Sequence, residues 1–126
     1  MRFMMIVKAD KETEAGVLPR RADLEAMGKY NEELQKAGVL VDGMGLQASS
    51  KGARVAFVDG QPRVTDGPFP ETKELIAGFW MLEVKSKEEA IEWAKKVPFH
   101  LLPNSGRVPE LELRQVFDEN DFADLQ

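Results

Sequence analysis

Apolar residues alternate along two segments of the chain, and this pattern predicts strands. Residues 2–8 are rich in β-prone side chains, and residues 77–84 show the clearest alternation. Both faces of these segments carry apolar groups; in the first segment, Met4 and Ile6 alternate with Phe3, Met5 and Val7. A strand that is apolar on both faces is covered on both faces.

A first helix is predicted from about Arg20 to Ala37. Leu24, Met27 and Leu34 recur at near-helical intervals along this segment. Gly38 follows directly and suits the left-handed position just past a helix end. The apolar stripe of this helix is therefore expected to face the sheet.

A second helix is predicted to begin at Ser86 and to end before Pro98. Glu89 stands three residues after Ser86, which is the spacing of a capping box. Proline lacks the N–H that a helix interior requires, so Pro98 ends the helix. The inner stripe consists of Ala90, Trp93, Ala94 and Val97.

Shorter β-prone segments complete the pattern. Residues 39–41 predict a strand that ends in the glycines of 42–45, and residues 111–117 predict a last strand. Residues 54–66 predict a hairpin around the turn Asp59-Gly60, with Pro62 favouring a sheet edge.

The element order is strand, helix, strand, hairpin, strand, helix, strand. It predicts one α+β domain over residues 1–126: a ferredoxin-like unit with a mainly antiparallel sheet, an inserted β-hairpin and two helices on one face. Two helices cover one face only, so the apolar residues on the other face need a partner. We expect a homodimer whose sheets pack face to face.

Composition narrows the chemistry. Seventeen Lys and Arg against 22 Asp and Glu give a net charge of −5, with one His and no Cys. The absence of Cys excludes a disulfide scaffold and thiol nucleophiles, and a single His argues against a metal site or a Ser-His-Asp triad. No phosphate-binding glycine motif occurs either. From these absences together we expect no metal and no cofactor. The acidic balance argues against a nucleic-acid partner.

Targeting patterns are not found. The five-residue apolar run near the N-terminus is too short for a signal peptide. No other stretch approaches the roughly 18–20 apolar residues that span a bilayer. We therefore expect a cytoplasmic protein with no membrane partner.

One block of sequence carries a family resemblance. Asp66-Gly67-Pro68-Phe69 is followed by Pro70-Glu71-Thr72-Lys73-Glu74. This block resembles the signature of the YCII-related family, in its DGPF-motif (DGPFxETKE) branch. Other blocks agree in order, including Gly78-Phe79-Trp80, and the resemblance covers about residues 1–122.

The resemblance implies a dimeric α+β barrel built on a ferredoxin-like unit, and a role as a small enzyme or a small-ligand protein. In the better-known YCII branch, a His on the first helix and a downstream Asp are proposed as a catalytic pair. The corresponding positions here, near Ala26 and Met27, hold no His. The resemblance therefore does not supply an acid–base pair for this chain.

Three charged residues are candidates for a site. Asp66 is the candidate catalytic carboxylate, because a rigid loop could aim it into a cleft; alternatively the loop only shapes a turn, with Gly67 at positive φ. Arg114 either clamps an anionic ligand or pairs with Glu112. Asp42 either points into the same cleft or satisfies local N–H groups.

Three ring side chains are further candidates. Tyr30 and Trp80 are expected to line a ligand pocket, or else to belong to the core. His100, the only imidazole, stands between two prolines with no orienting partner in the sequence, and is interpreted as a surface or packing residue.

Two functions follow from these residues. The first is a non-catalytic or regulatory dimer that binds an unknown small polar ligand. The alternative is a cofactor-free small enzyme that uses acid–base chemistry centred on Asp66, whose pKa burial would raise toward neutrality.

Overall fold

The structure is a computed structural model that describes residues 1–125. These residues form six strands and three α-helices, with short 3-10 turns at Ser49–Lys51, Thr72–Glu74, Phe99–Leu101 and Glu119–Phe122. In chain order the elements are β1 (Arg2–Lys8), α1 (Lys11–Glu14), α2 (Arg21–Lys36), β2 (Leu40–Gly45), β3 (Ala53–Val58), β4 (Gln61–Asp66), β5 (Ile76–Glu83), α3 (Lys87–Lys95) and β6 (Leu111–Gln115).

Four strands form the main sheet in the order β2-β5-β1-β6. Each neighbouring pair is antiparallel. The two long helices α2 and α3 each connect strands that are consecutive in the chain but not adjacent in the sheet, as in a ferredoxin-like unit. The predicted α+β fold with a mainly antiparallel sheet is confirmed.

The core lies between the sheet and the two long helices. Phe3 and Met5 of β1 pair with Leu82 and Trp80 of β5, and all four are buried. From the helices, Tyr30, Leu34 and Ala90 are buried against them. The predicted division of β1 into two faces is confirmed, since Met4 and Ile6 lie on the opposite side and are only half-buried.

The face of the sheet away from the helices, called here the open face, is apolar at its centre. Cross-strand register pairs Met4 with Met81 and Ile6 with Phe79. All four side chains are half-buried in the single chain. No helix among residues 1–125 packs on this face, so it is available for a partner surface.

The predicted helix-end signals are found, with one difference. The Ser86 hydroxyl accepts a hydrogen bond from the Glu89 N–H at 3.1 Å, and Gly38 adopts φ +72° after α2. The capping box is not reciprocal, because the Glu89 carboxylate accepts from the Lys85 N–H at 2.7 Å instead of the Ser86 N–H. The hairpin turn places Asp59 and Gly60 at φ +53° and +77°, as a two-residue hairpin loop requires.

The predicted hairpin is present as a separate two-stranded sheet, β3–β4. Three details differ from the predictions. A third helix, α1, is capped by Asp10 and Thr13. Strand β2 continues through Gly43. A Cβ at Gly43 would lie only 3.1 Å from the Trp80 ring, so the absence of a side chain lets β2 pack closely beside Trp80. The last strand ends at Gln115, two residues earlier than predicted.

Candidate functional site

A cavity of about 1090 Å³ lies beside the main sheet. Its floor is the helix-covered face of β2 and β5, and one wall is the N-terminal half of α2. The other walls are the connection between α1 and α2 and the loop 100–106. A volume of this size suits a small organic molecule.

Trp80 forms the rigid aromatic part of the floor. Its indole N–H donates to the Asn31 side-chain oxygen at 2.7 Å. Tyr30 packs edge-on against the indole, with ring centroids 5.5 Å apart. Because both contacts fix the ring, Trp80 presents a preformed apolar surface to the cavity.

Asp10 holds one wall in place. Its side chain is only 4 % exposed, and its two carboxylate oxygens accept from the Thr13 N–H at 2.8 Å and the Asn104 N–H at 2.9 Å. The neighbouring Lys11 N–H donates to the Ser105 hydroxyl at 3.0 Å. These bonds tie the loop 100–106 to the start of α1.

Opposing effects act on the Asp10 carboxyl. Burial raises its pKa, but the hydrogen bonds from Thr13, Ser105 and Asn104 together outweigh burial and hold the pKa below the ordinary 3.8. Asp10 is therefore a buried carboxylate whose oxygens are already used by the protein. It supports the wall and is a poor candidate for proton transfer.

The mouth of the cavity is apolar and open. Leu18, at the end of the α1–α2 connection, is 83 % exposed. The other exposed apolar residues at the mouth of the cavity are Val17, Leu24 and Leu46. The structure corrects the prediction for Leu24, which faces the cavity and solvent and does not pack in the core.

The charges around the cavity favour one kind of ligand. Three carboxylates, those of Asp10, Glu12 and Asp23, line it, against one guanidinium, that of Arg20. Arg20 is itself engaged with Asp23, with 3.4 Å between Nε and Oδ2. The excess of negative charge disfavours an anionic ligand and suits a neutral or cationic one.

His100 also lines the cavity, from the loop opposite α2. The sequence favoured a surface or packing role, and the side chain is exposed. Its ring stands edge-on to Phe99 at 6.1 Å. The only imidazole of the chain is thus on a cavity wall, which nothing in its local sequence indicated.

Asp66 lies outside the cavity. It ends β4, is exposed, and pairs across the hairpin with Ala53. The burial that its proposed acid–base role requires is absent. The prediction of a positive φ at the neighbouring Gly67 is wrong. A glycine is required at this position for a different reason, because a Cβ there would overlap the Ser49 carbonyl oxygen. A catalytic role for Asp66 stays a prediction without support from this geometry.

Arg114 and Asp42 lie on the open face, on the other side of the sheet from the cavity. Arg114 is opposite Met4 and pairs with Glu112 at 3.4 Å. Asp42 is opposite Met81, and its carboxylate accepts from the Gly43 N–H at 2.8 Å. In both cases the structure contains the local interaction that was the alternative to ligand binding.

Of the two predicted aromatic ligand contacts, only Trp80 lines the cavity. Tyr30 is buried behind it, and its hydroxyl donates to the Trp93 carbonyl at 2.8 Å. Burial, followed by the charge of Glu33, raises the pKa of Tyr30 above its ordinary value. The Tyr30 hydroxyl therefore stays protonated and donates its hydrogen bond within the core, away from the cavity.

The DGPF block fastens the base of the hairpin. The Phe69 N–H donates to the Ser49 hydroxyl at 2.9 Å, and the Ser49 N–H donates to Glu14 of α1 at 2.9 Å. The Arg54 guanidinium lies over the Phe69 ring, 3.9 Å from its centroid. The motif has an architectural role that depends on residues outside it.

Two further properties concern the described residues. Across positions 1–125, no cluster of three or more His, Cys, Asp or Glu side chains is arranged to hold a metal ion. Over the same part of the chain, none of the helices has the length and apolar character needed to cross a membrane.

The fold and cavity define an α+β protein with a ferredoxin-like sheet and a ligand-sized pocket beside it. The chain belongs to the YCII-related domain family, whose model matches residues 1–115. The family resemblance is thereby confirmed, and the assignment to the DGPF-motif branch stays a prediction.

This chain is similar to one protein in sequence and to one solved structure in fold. An uncharacterized protein of Rhizobium meliloti (strain 1021) is 33 % identical over 73 residues, which is 58 % of this chain and 56 % of that protein. The chain thus matches little more than half the length of this relative. A solved structure of 5-chloro-2-hydroxyhydroquinone dehydrochlorinase from Burkholderia phenoliruptrix, in complex with 2,5-dihydroxybenzoquinone, is 16 % identical, with a TM-score of 0.49 over 96 % of this chain and 98 % of that one.

Proposed function

We propose that this protein is a non-catalytic, small-ligand-binding homodimer whose ligand occupies the cavity beside Trp80. The observation that carries the proposal is the cavity of about 1090 Å³, which has a fixed aromatic floor and a lining in which apolar surface predominates over polar surface. Small-molecule sites are mostly apolar, largely preformed, and oriented by a small number of polar groups. The ligand we propose is small and amphipathic, and neutral or cationic.

The charge preference follows from the lining. Glu12 of α1 and Asp23 of α2 line the cavity from separate walls. The single guanidinium is engaged with Asp23. A ligand carboxylate or phosphate would meet uncompensated negative charge, and like-charge contacts weaken binding.

Acid–base catalysis centred on Asp66 is not the function that this geometry supports best. Asp66 is exposed and does not line the cavity. A general base must reach the proton that it removes, and geometry comes before pKa in that test.

The two tryptophans offer a direct test. Trp80 lines the cavity and Trp93 does not. Titration of ¹⁵N-labelled protein with benzylamine should shift the Trp80 indole N–H resonance and leave that of Trp93 unmoved, with Trp93→Phe used to assign the two signals. Benzyl alcohol, the neutral control of the same shape, should also bind, and benzoate should bind most weakly. No movement of the Trp80 signal with any of the three would contradict the proposal, and tightest binding of benzoate would contradict the charge preference.

The homodimer is supported by the open face. Met4, Ile6, Phe79 and Met81 form its apolar centre without a covering helix. A second copy is the simplest partner, because a two-fold axis lets the same surface cover itself. Light scattering at micromolar concentration should give twice the 14.1 kDa chain mass; a monomer mass would contradict this part of the proposal.

A further inference from the structure

The hairpin β3–β4, called here the arm (residues 53–66), projects from the rest of the chain. Every residue from 53 to 66 is exposed. Isolated two-stranded hairpins are marginally stable in water and need a packing surface. The arm nevertheless has regular pairing over six residue pairs.

The arm is amphipathic. Register places Val55 opposite Val64 and Phe57 opposite Pro62 on one face. Phe57 is 73 % and Val64 68 % exposed. The opposite face carries Arg54, Ala56, Val58, Gln61, Arg63 and Thr65. In antiparallel sheets an apolar face that alternates with a polar one packs against another surface.

The base of the arm is fixed, so the arm cannot simply fold back on its own sheet. The Gly67 N–H donates to the Gly52 carbonyl at 3.0 Å, and Phe69 is bonded to Ser49 as described above. Arg54 adds an ion pair with Glu71 at 3.3 Å. A fixed arm with an uncovered apolar face requires a surface outside its own chain.

We infer that the apolar face of the arm, formed by Val55, Phe57, Pro62 and Val64, packs against the second copy of this chain, and that the two arms of the dimer clasp reciprocally. The inference rests on the proposed homodimer and adds to it the surface that stabilises association. A two-fold axis makes each contact occur twice, once from each protomer.

The interface area supports a second copy as the occupant. Four strands spaced about 4.8 Å apart, with about six residues of 3.3 Å each, give the open face a footprint of about 400 Å². Stable interfaces bury about 800 Å² on each partner, so the open face alone is about half of what is needed. With the same strand spacing and rise, the two strands of one arm have a footprint of about 200 Å². In the proposed dimer each protomer buries this area of its own arm and a similar area where the partner's arm packs. Together these two areas add the roughly 400 Å² that the open face lacks.

The test is sedimentation equilibrium of the full chain with paired variants. Phe57→Asp puts a charge on the apolar face, and Ala56→Asp puts the same charge on the opposite face of the same strand. Phe57→Asp should raise the dimer dissociation constant at least about tenfold, as expected for loss of a large aromatic contact repeated by symmetry. Ala56→Asp should leave it unchanged. Val64→Asp, on the other strand of the arm, should repeat the Phe57 result, and circular dichroism establishes that each variant is folded.

The outcomes separate the inference from the proposal on which it rests. A monomeric wild-type chain overturns both. A wild-type dimer whose dissociation constant is unchanged by Phe57→Asp and Val64→Asp overturns the role of the arm and leaves the homodimer standing, so that another protein or no partner covers the arm. Hydrogen exchange of the wild type at two protein concentrations gives a second readout. Amides of residues 53–66 should exchange more slowly when the dimer is populated, and equal exchange at both concentrations overturns the inference.

Discussion

Replacing Asp10 with Asn tests whether one buried carboxylate holds the cavity wall. Its two oxygens accept backbone N–H groups from Thr13 and from Asn104, which is 94 residues away. An Asn amide offers one oxygen and one NH₂ group, so it can accept only one of these N–H donors. The other donor then faces an NH₂ group and is left unsatisfied in a buried position.

The expected cost follows from that count. A buried donor without a partner costs about 1–3 kcal/mol, and hydrogen bonds to a charged group are worth about 1.5–3 kcal/mol. We expect Asp10→Asn to lower the free energy of unfolding at pH 7 by about 2 kcal/mol. For a chain of this size that is a fall of roughly 6–10 °C in Tm. The assay is urea and thermal unfolding at one fixed protein concentration, because dimerisation makes stability concentration-dependent.

The pH dependence gives an independent check. The folded pKa of Asp10 lies below 3.8, so the unfolded chain takes up the proton first as the pH falls. The carboxylate therefore contributes stability that is fully present above the unfolded value and is lost as the pH falls through the folded one. The difference between wild type and Asp10→Asn should be constant from pH 7 to about pH 5 and shrink below pH 4.

Glu12→Gln is the matched control for this prediction. Glu12 lies two residues further on in α1, lines the same cavity and is exposed. Its substitution should change stability by no more than about 0.5 kcal/mol. Equal stability of Asp10→Asn and wild type at pH 7, or an equal loss in Glu12→Gln, would refute the reasoning that the Asp10 hydrogen bonds hold the wall.

Two other substitutions test the base of the arm and the core behind the cavity. Gly67→Ala should destabilise the chain by about 1–3 kcal/mol in urea unfolding, because its Cβ would overlap the backbone oxygen of Ser49; Gly45→Ala, which has open space around it, is the control, and equal effects would contradict the steric reason. Tyr30→Phe should cost about 1 kcal/mol through the lost bond to the Trp93 carbonyl and leave benzylamine affinity unchanged; a large loss of affinity would place Tyr30 in the binding site after all.

Helix ends and turns that are determined by residues close together in the chain could be predicted from the sequence. The capping residue Ser86, the C-terminal Gly38 and the turn Asp59-Gly60 each act within a few residues of the chain, and each stands where its pattern indicates. The two-sided apolar pattern of β1 also indicated correctly that both faces of the sheet centre are apolar. These signals are enough to define the ferredoxin-like order.

The site depends on contacts between distant segments, and its residues were mostly missed. Asp42 was a candidate because it could stand at a strand end, and Arg114 because a guanidinium inside the last strand could clamp an anionic ligand. Alternation along β2 and β6 turns both residues to the open face. Asn31 and His100 have no distinguishing local pattern and become cavity residues only when α2 and the 100–106 loop meet. Asp10 was the exception that could have been found, since Asp followed three residues later by Thr resembles a helix-capping pair.

The four residues of α1 connect these distant segments, and this explains why the DGPF block cannot be understood alone. At the start of α1, Asp10 binds the loop that forms a cavity wall; at its end, Glu14 binds Ser49, 35 residues away, which in turn holds Phe69. A helix this short has little stability of its own, so its position is set by these side-chain bonds and by the segments that they join. The base of the arm and the wall of the cavity therefore share one support. In this chain the motif residues contribute to the site by fixing that support, without any of their side chains entering the cavity.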